Sequence, residues 1–316
     1  MSEVNVYTYI LRRILYSIPI FLGICFIILI LFNILAPEPA YQLLGKRITK
    51  EQILSVRKEL GLDRHLVLQY LDIVKSAVTF DFGRSWSTKQ KISNMVKQGI
   101  IPSLTITLPA FILALLISIS LSLLVVAFRG GFIDRLSVLV CIILMSVPSL
   151  AYILFGQYFL AYKLNLFPVS GFIESFPYFI PYILLPVIIW VVISLGPSVR
   201  LYRTIFLDEI YQNYVTTAKA KGVSSSGILF KHVFRNALIP IITNVIIEIP
   251  FLILGSLLLE KFFSIPGIGS LTINAINTSD FPVIKAMTIV TAILYIIFNL
   301  LTDLLYSIVD PRITLK

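Results

Sequence analysis

The chain has 316 residues, of which 58% are hydrophobic and only 13% charged, and its mean hydropathy is +0.94. That composition excludes an ordinary soluble domain and specifies an integral membrane protein. The formal net charge of +10 comes from basic residues scattered between apolar runs rather than a continuous stripe, so nucleic acid is not an expected partner; loops that fix topology and meet anionic lipid account for it.

In chain order, Arg12 and Arg13 precede an apolar run over residues 14–36. It is about as long as a bilayer is thick and reads as a retained first span rather than a cleaved signal peptide. Uncharged stretches at 100–128, 136–162 and 175–199 can each cross roughly 30 Å of hydrocarbon as a helix. A fifth span at 236–259 is interrupted only by Glu248, and a sixth at 284–309 carries Lys285 near one end and Asp303 near the other. The expected fold is an all-α integral membrane protein with six transmembrane helices. Cys25 and Cys141 lie inside apolar segments with no neighbour at metal-ligand spacing, so neither a disulfide nor a metal site is expected.

Residues 37–99 form the long segment between the first two spans. Thr49 and Gln52 have capping-box spacing, the apolar residues Ile53, Leu54, Val56 and Leu60 precede Gly61, and a second amphipathic stretch covers 65–78. A small helical cap on the external face is expected. Three divisions follow: 1–36, the N-terminus and first span; 37–99, the cap; and 100–316, the core. Short-loop basic residues Arg12, Arg13, Arg129, Arg135, Arg200, Arg203, Lys219, Lys221, Lys231, Arg235, Arg312 and Lys316 share one side if both termini are cytoplasmic. Lys46, Arg47, Arg57, Lys58 and Lys97 argue the other way, but their loop is long enough for the rule to weaken.

Residues 211–240 are a polar, basic, helix-breaking insert between two spans, too long for a hairpin turn and too short for a domain. A helix over 215–221, a left-handed Gly222 and N-caps at 224–226 predict a bent pair of short helices. Ala218, Ala220 and Gly222 have almost no side chain and would let a partner approach closely, while Lys219 and Lys221 could pair with its acidic groups.

The run YVTTAKAKG resembles the cytoplasmic coupling loop of binding-protein-dependent ABC importer permeases, in the form found in the subgroup that imports dipeptides, oligopeptides and nickel complexes. The general family pattern begins Glu-Ala-Ala; here Thr216, Thr217 and Ala218 stand there, followed by Gly222. The opening RRILYSIPIFLGICFIILILFNILAPEPA, then ELGLDRHLVLQYL, FDFGRSW, LLLEKFFSIPGIGSL, Asp280, Pro282 and DLLYSIVDPRI resemble the same subgroup in order, which points to the B-type subunit. Ala36-Pro37-Glu38-Pro39 and His65 depart from its pattern. The resemblance implies a type I importer permease fold in a bacterial inner membrane. It further implies a second permease subunit of similar fold as heterodimer partner, two cytoplasmic ATPase subunits holding ATP and Mg, and an extracytoplasmic substrate-binding protein delivering peptides. The chain has no phosphate-binding Gly-x-x-x-x-Gly-Lys-Ser/Thr loop, so no nucleotide or other cofactor is expected in it, and no catalytic residue. Coupling to the ATPases would fall to Tyr214, Thr217, Ala218, Lys219, Ala220, Lys221 and Gly222.

Glu248 sits near the middle of the fifth span, where a carboxylate must face a cavity, a partner or a neutralising group. Two readings stand: it lines the translocation pathway and attracts a peptide amino group, or it is a structural glutamate at a subunit interface. Asn244, one turn earlier, could share the cavity or bond to a neighbouring helix. Glu260, Pro266, Gly267 and Gly269 mark a looped segment read as a rim for binding-protein docking or gating, or as a plug between spans. Two other functions compete: a proton-coupled secondary transporter using Glu248 and Asp303, and an intramembrane hydrolase. The hydrolase is weakened because the only histidines, His65 and His232, lie outside the spans.

Overall fold

The computed structural model describes residues 6–34, 40, 41, 49–59 and 61–309. The expectations at Ala36–Pro39, Lys46, Arg47, Leu60, Arg312 and Lys316 lie outside these residues, as does the side chain of Asp303. The helices are α1 (Val6–Leu29, continuing as a π-helical turn Ile30–Ile34), α2 (Lys50–Glu59), α3 (Leu66–Thr79) and α4 (Ile92–Ala127). There follow α5 (Phe132–Ser146), α6 (Ser149–Phe155, continuing as a π-helical turn Gly156–Lys163), α7 (Ile180–Ile210) and α8 (Asn213–Ala220). The last four are α9 (Phe234–Leu254), α10 (Leu257–Phe262), α11 (Ile268–Asn277) and α12 (Phe281–Val309). Among the described residues the only extended pairing is one antiparallel bridge between Arg84 and Lys91.

Among the described residues, five helical paths are long and apolar enough to cross a membrane: Leu11–Phe32, Ile92–Ala127, Ile180–Ile210, Ser225–Phe262 and Phe281–Thr302. The sixth expected span is a bent pair, Phe132–Ser146 and Ser149–Lys163, meeting at 87°. The break has a local cause. Pro148 cannot donate to the preceding turn and forces Val147 out of the helical region, to φ −87°, ψ 125°.

The chain divides into two compact units, Met1–Gly99 with Leu271–Lys316, and Ile100–Ser270. The segment from Leu271 belongs with the N-terminal part because α12 packs along α1 and touches α3.

In the first unit, Cys25, Ile28 and Leu29 of α1, Ile73 and Ala77 of α3 and Ile289 of α12 form a buried cluster. The α2 N-terminus is a capping box: the Thr49 N–H donates to Gln52 Oε1 at 2.9 Å and the Gln52 N–H donates to Thr49 Oγ1 at 3.3 Å. Its far end closes at Gly61, with the Leu62 N–H on the Arg57 carbonyl at 2.9 Å.

The start of α12 is fixed by Asp280. Its carboxylate accepts from Ser85 Oγ at 2.5 Å, Ser87 Oγ at 2.9 Å and the Trp86 and Ser87 N–H groups at 3.1 Å each. Burial alone would raise the Asp280 carboxyl, but these hydrogen bonds outweigh it and hold the group below its ordinary range. Trp86 then lies edge-on to Phe281, ring centroids 6.1 Å apart.

In the second unit α7 is the central helix, with α5, α6 and α9 packed on it. One buried cluster gathers Ile106, Ala110, Ile153, Leu185, Phe263 and Ile265. Another gathers Val126, Tyr202, Phe206, Val215, Val233 and Ala237, joining the end of α4 and α7 to α8 and the segment after it. Asp134 is clamped there: Arg203 Nε and Nη2 both lie 2.7 Å from Asp134 Oδ1, and the Gly130 N–H donates to Oδ2 at 2.9 Å.

Candidate functional site

The insert folds as a bent elbow. Helix α8 ends in a doubly bonded turn in which the Gly222 N–H reaches the Lys219 carbonyl at 2.9 Å and the Val223 N–H reaches the Ala218 carbonyl at 3.2 Å. This turn requires a left-handed residue, and Gly222 supplies it at φ +77°. Ser224 then caps the next turn, its Oγ accepting from the Gly227 N–H at 3.2 Å, and a π-helical turn at Ile228–Val233 leads into α9.

Only some of the expected coupling residues face outward. Thr217, Lys219, Ala220, Lys221 and Gly222 are exposed, and open space surrounds Gly222 where a side chain would go. Ala218 is buried beside Val215, because the three-residue spacing puts both on the face that meets Phe206 and Val233. Tyr214 is likewise turned to its own chain, its hydroxyl donating to Glu209 Oε2 at 2.5 Å. Burial, and then the Glu209 carboxylate, push this phenol up to about 12. Beside the elbow lies a recess of about 820 Å³ lined in part by Arg129, Lys219, Ser225, Ser226, Leu229 and Phe230. The Arg129 guanidinium sits 6.0 Å from the Tyr211 ring centroid.

Within the second unit, α4, α6, α7, α9 and α10 line a half-open cavity of about 630 Å³. Its polar groups are Glu248, Ser149, Ser194, Ser198, Ser256 and Tyr202, set among Phe111, Ile153, Trp190 and Phe251. Glu248 is its one acidic side chain. Asn244 is not brought to it: its Nδ2 donates to the Pro240 carbonyl at 3.1 Å, one turn back in the same helix.

The looped segment is built around Glu260. Glu260 is fully buried, and its carboxylate accepts from Ser103 Oγ at 2.8 Å, the Ser256 N–H at 3.1 Å and the Ser270 N–H at 3.0 Å. Ser103 Oγ in turn accepts from the Ile268 N–H at 2.8 Å. Gly255, at φ +72°, and Gly267 pass so close that a Cβ on either would overlap the carboxylate. Glu260, Gly267 and Gly269 therefore lie inside the turn and hold its shape, which leaves Pro266 as the exposed member of the expected docking set.

Ser103, Asp134 with Arg203, and Asp280 with Ser85 and Ser87 carry polar contacts that reading the sequence did not assign. Asp280 had a signal, since both FDFGRSW and Asp280 stand out as motif pieces, but their pairing did not.

These features define a multi-pass helical transport protein with an exposed elbow on one face. Residues 114–315 match the family described as binding-protein-dependent transport system inner membrane component. Residues 6–108 match the N-terminal part of such membrane components. The chain belongs to this family: it is the permease subunit of an ABC importer, a multi-pass protein of the inner membrane, and its part is transport rather than catalysis. It is 32% identical over 311 residues to a probable peptide ABC transporter permease protein, y4tP, of Sinorhizobium fredii, covering 96% of this chain and 98% of that one. It is 29% identical over 308 residues to the glutathione transport system permease protein GsiC of Salmonella typhimurium, and equally to that of Escherichia coli K12, covering 98% and 99%.

Proposed function

We propose that this chain forms half of the translocation pathway for di- and oligopeptides, with a second permease subunit of similar fold forming the other half. An extracytoplasmic binding protein delivers the cargo, and two cytoplasmic ATPase subunits, which bind ATP and Mg, seat against the elbow at Thr217, Lys219, Ala220, Lys221 and Gly222. Both termini are then cytoplasmic. The carrying observation is the elbow itself: a rigidly capped, basic, small-residue turn that exposes Gly222 while anchoring Val215 and Ala218 to the ends of α4 and α7. A push on such a turn is passed to the spans as a rigid-body movement, and closure of the ATPase pair would supply the push.

The peptide reading rests on Glu248 in an otherwise serine-lined and apolar cavity, which suits an ammonium group, and on relatives named for peptide and glutathione transport. Glutathione is itself a short peptide. Pro266, exposed on its turn, is the position left for contact with the binding protein.

The test is uptake in vesicles containing the chain with its partner subunits. ATP-dependent uptake of labelled dipeptides, competed by other short peptides, is expected. Uptake of a nickel chelate instead would move the substrate class, and proton-driven uptake by this chain alone would overturn the whole reading.

A further inference from the structure

The helix α3 packs along the first span. Its Tyr70 hydroxyl donates to the Leu22 carbonyl at 3.0 Å, and Leu22 lies in the middle of the apolar window Leu11–Phe32. At about 1.5 Å per residue, Leu22 is roughly 15 Å below Phe32 along α1. Farther along, Ile73 and Ala77 join the cluster of Cys25, Ile28 and Leu29, and Phe82 joins it alongside Phe32. So α3 begins at mid-span depth and runs beside α1 toward the Phe32 end.

The three faces of α3 differ. Gln69, Ile73 and Ala77 are packed inward. Val67, Leu71 and Val78 form an outward apolar stripe, 58%, 53% and 69% exposed, and Leu66 and Leu68 add exposed apolar surface at the deep end. Asp72 and Lys75 form a third, charged stripe, where Arg64 lies 3.5 Å from Asp72 and Lys285 is within coulombic reach of it.

Backbone satisfaction points the same way. The carbonyls of the turn entering α3 are met from within: Gln69 Nε2 donates to the Leu62 carbonyl at 3.2 Å and to the Arg64 carbonyl at 2.7 Å. His65 Nδ1 accepts from the Val67 N–H at 3.3 Å. Ser76 and Thr79 hydroxyls turn back onto the Asp72 and Lys75 carbonyls. The apolar stripe is also continuous with the exposed face of α1, since Phe26, 54% exposed, meets Tyr70 edge-on at 6.4 Å.

We propose that α3 is an embedded half-span whose Val67–Leu71–Val78 stripe contacts lipid acyl chains in the half of the bilayer nearest Phe32. Its charged stripe turns away from that lipid, toward Arg64 and Lys285.

The test places a nitroxide on Val67→Cys, Leu71→Cys and Val78→Cys in the full chain in its own membranes, with Phe26→Cys as the span reference and Lys75→Cys as the charged-stripe reference. The unsubstituted chain serves as blank, because Cys25 and Cys141 are buried. Collision with dissolved oxygen should be as frequent at Leu71 as at Phe26, and collision with a water-soluble nickel complex rare. Ready access to the nickel complex would overturn the proposal by placing α3 in water, and exclusion of both probes would overturn it by placing a protein there. If a cysteine variant does not accumulate, a photo-activated benzophenone amino acid at Leu71 decides: a phospholipid adduct supports the half-span and a protein adduct sinks it.

Discussion

Ser103 Oγ donates to Glu260 Oε1 across 2.8 Å, joining residues 157 apart in the sequence deep inside one compact unit. Removing the carboxylate leaves the part-buried Ser256 and Ser270 N–H groups without their acceptor, at up to about 1–3 kcal/mol for each unsatisfied donor. Glu260→Ala should therefore lower thermal stability in detergent more than Ser103→Ala, which removes one donor to the carboxylate and leaves a single N–H, that of Ile268, without its acceptor. Gly267→Ala should resemble Glu260→Ala, because its Cβ would collide with the same carboxylate. Equal midpoints for Glu260→Ala and the unsubstituted protein would contradict the assignment.

Asp280 makes a pH prediction with a definite sign. Its carboxyl is depressed in the folded chain, so its contribution is present above the unfolded value of about 4 and is lost as pH falls through the lower folded value. The loop at 83–91 should stay protected at neutral pH and open only in strong acid. Asp280→Asn should expose Arg84, Lys89 and Lys91 to trypsin at neutral pH, and an unchanged digestion pattern would show that the loop is held by something else.

The elbow separates coupling from folding. At φ +77° a β-branched side chain is strained by about 1–2 kcal/mol, yet there is open space around Gly222 for the side chain itself. Gly222→Val should leave the spans folded while uncoupling ATP hydrolysis from uptake in the reconstituted importer. Lys219→Glu with Lys221→Glu should weaken ATPase binding, more so at low salt. Normal uptake in all of these variants would mean that the elbow is not the seat of the ATPase.

Much of this architecture is legible from local pattern. Apolar run length marked the spans, Thr49 and Gln52 their capping box, and Gly222 the end of α8, because each is set within a few residues by hydrogen-bond geometry. Pro148 was equally visible, but an apolar run continues through it, so the 87° break was read as a straight span. Ala218 illustrates another limit. Small size alone suggested close approach by a partner, whereas its spacing from Val215 already placed it on the inward face. What local pattern does not carry is pairing at a distance: Ser85 with Asp280 spans 195 residues, and nothing in either segment names the other. Glu260 stood out as polar, but only the fold reveals the donors that bury it.

Glu248 tests the substrate reading directly. As the one acid lining its cavity, it should favour cargo with a free amino terminus. Glu248→Gln should reduce uptake of a free dipeptide several-fold and leave its N-acetylated counterpart nearly unchanged, while binding-protein affinity stays the same. An equal loss for both peptides would return Glu248 to a structural role.

The clamp between Asp134 and Arg203 closes the set, because it holds the short loop before α5 against the end of α7 near the elbow. Their side chains retain 12% and 24% of their exposure, so solvent screens them partly and the pair is worth less than a fully buried one. Arg203→Ala leaves Asp134 with the Gly130 N–H but without its cation, and should cost about 1–3 kcal/mol. Asp134→Asn combined with Arg203→Gln removes the uncompensated charge and should recover part of that loss. A double-mutant cycle on thermal midpoints measures the coupling, and a coupling near zero would reduce the clamp to a crossing of independent side chains.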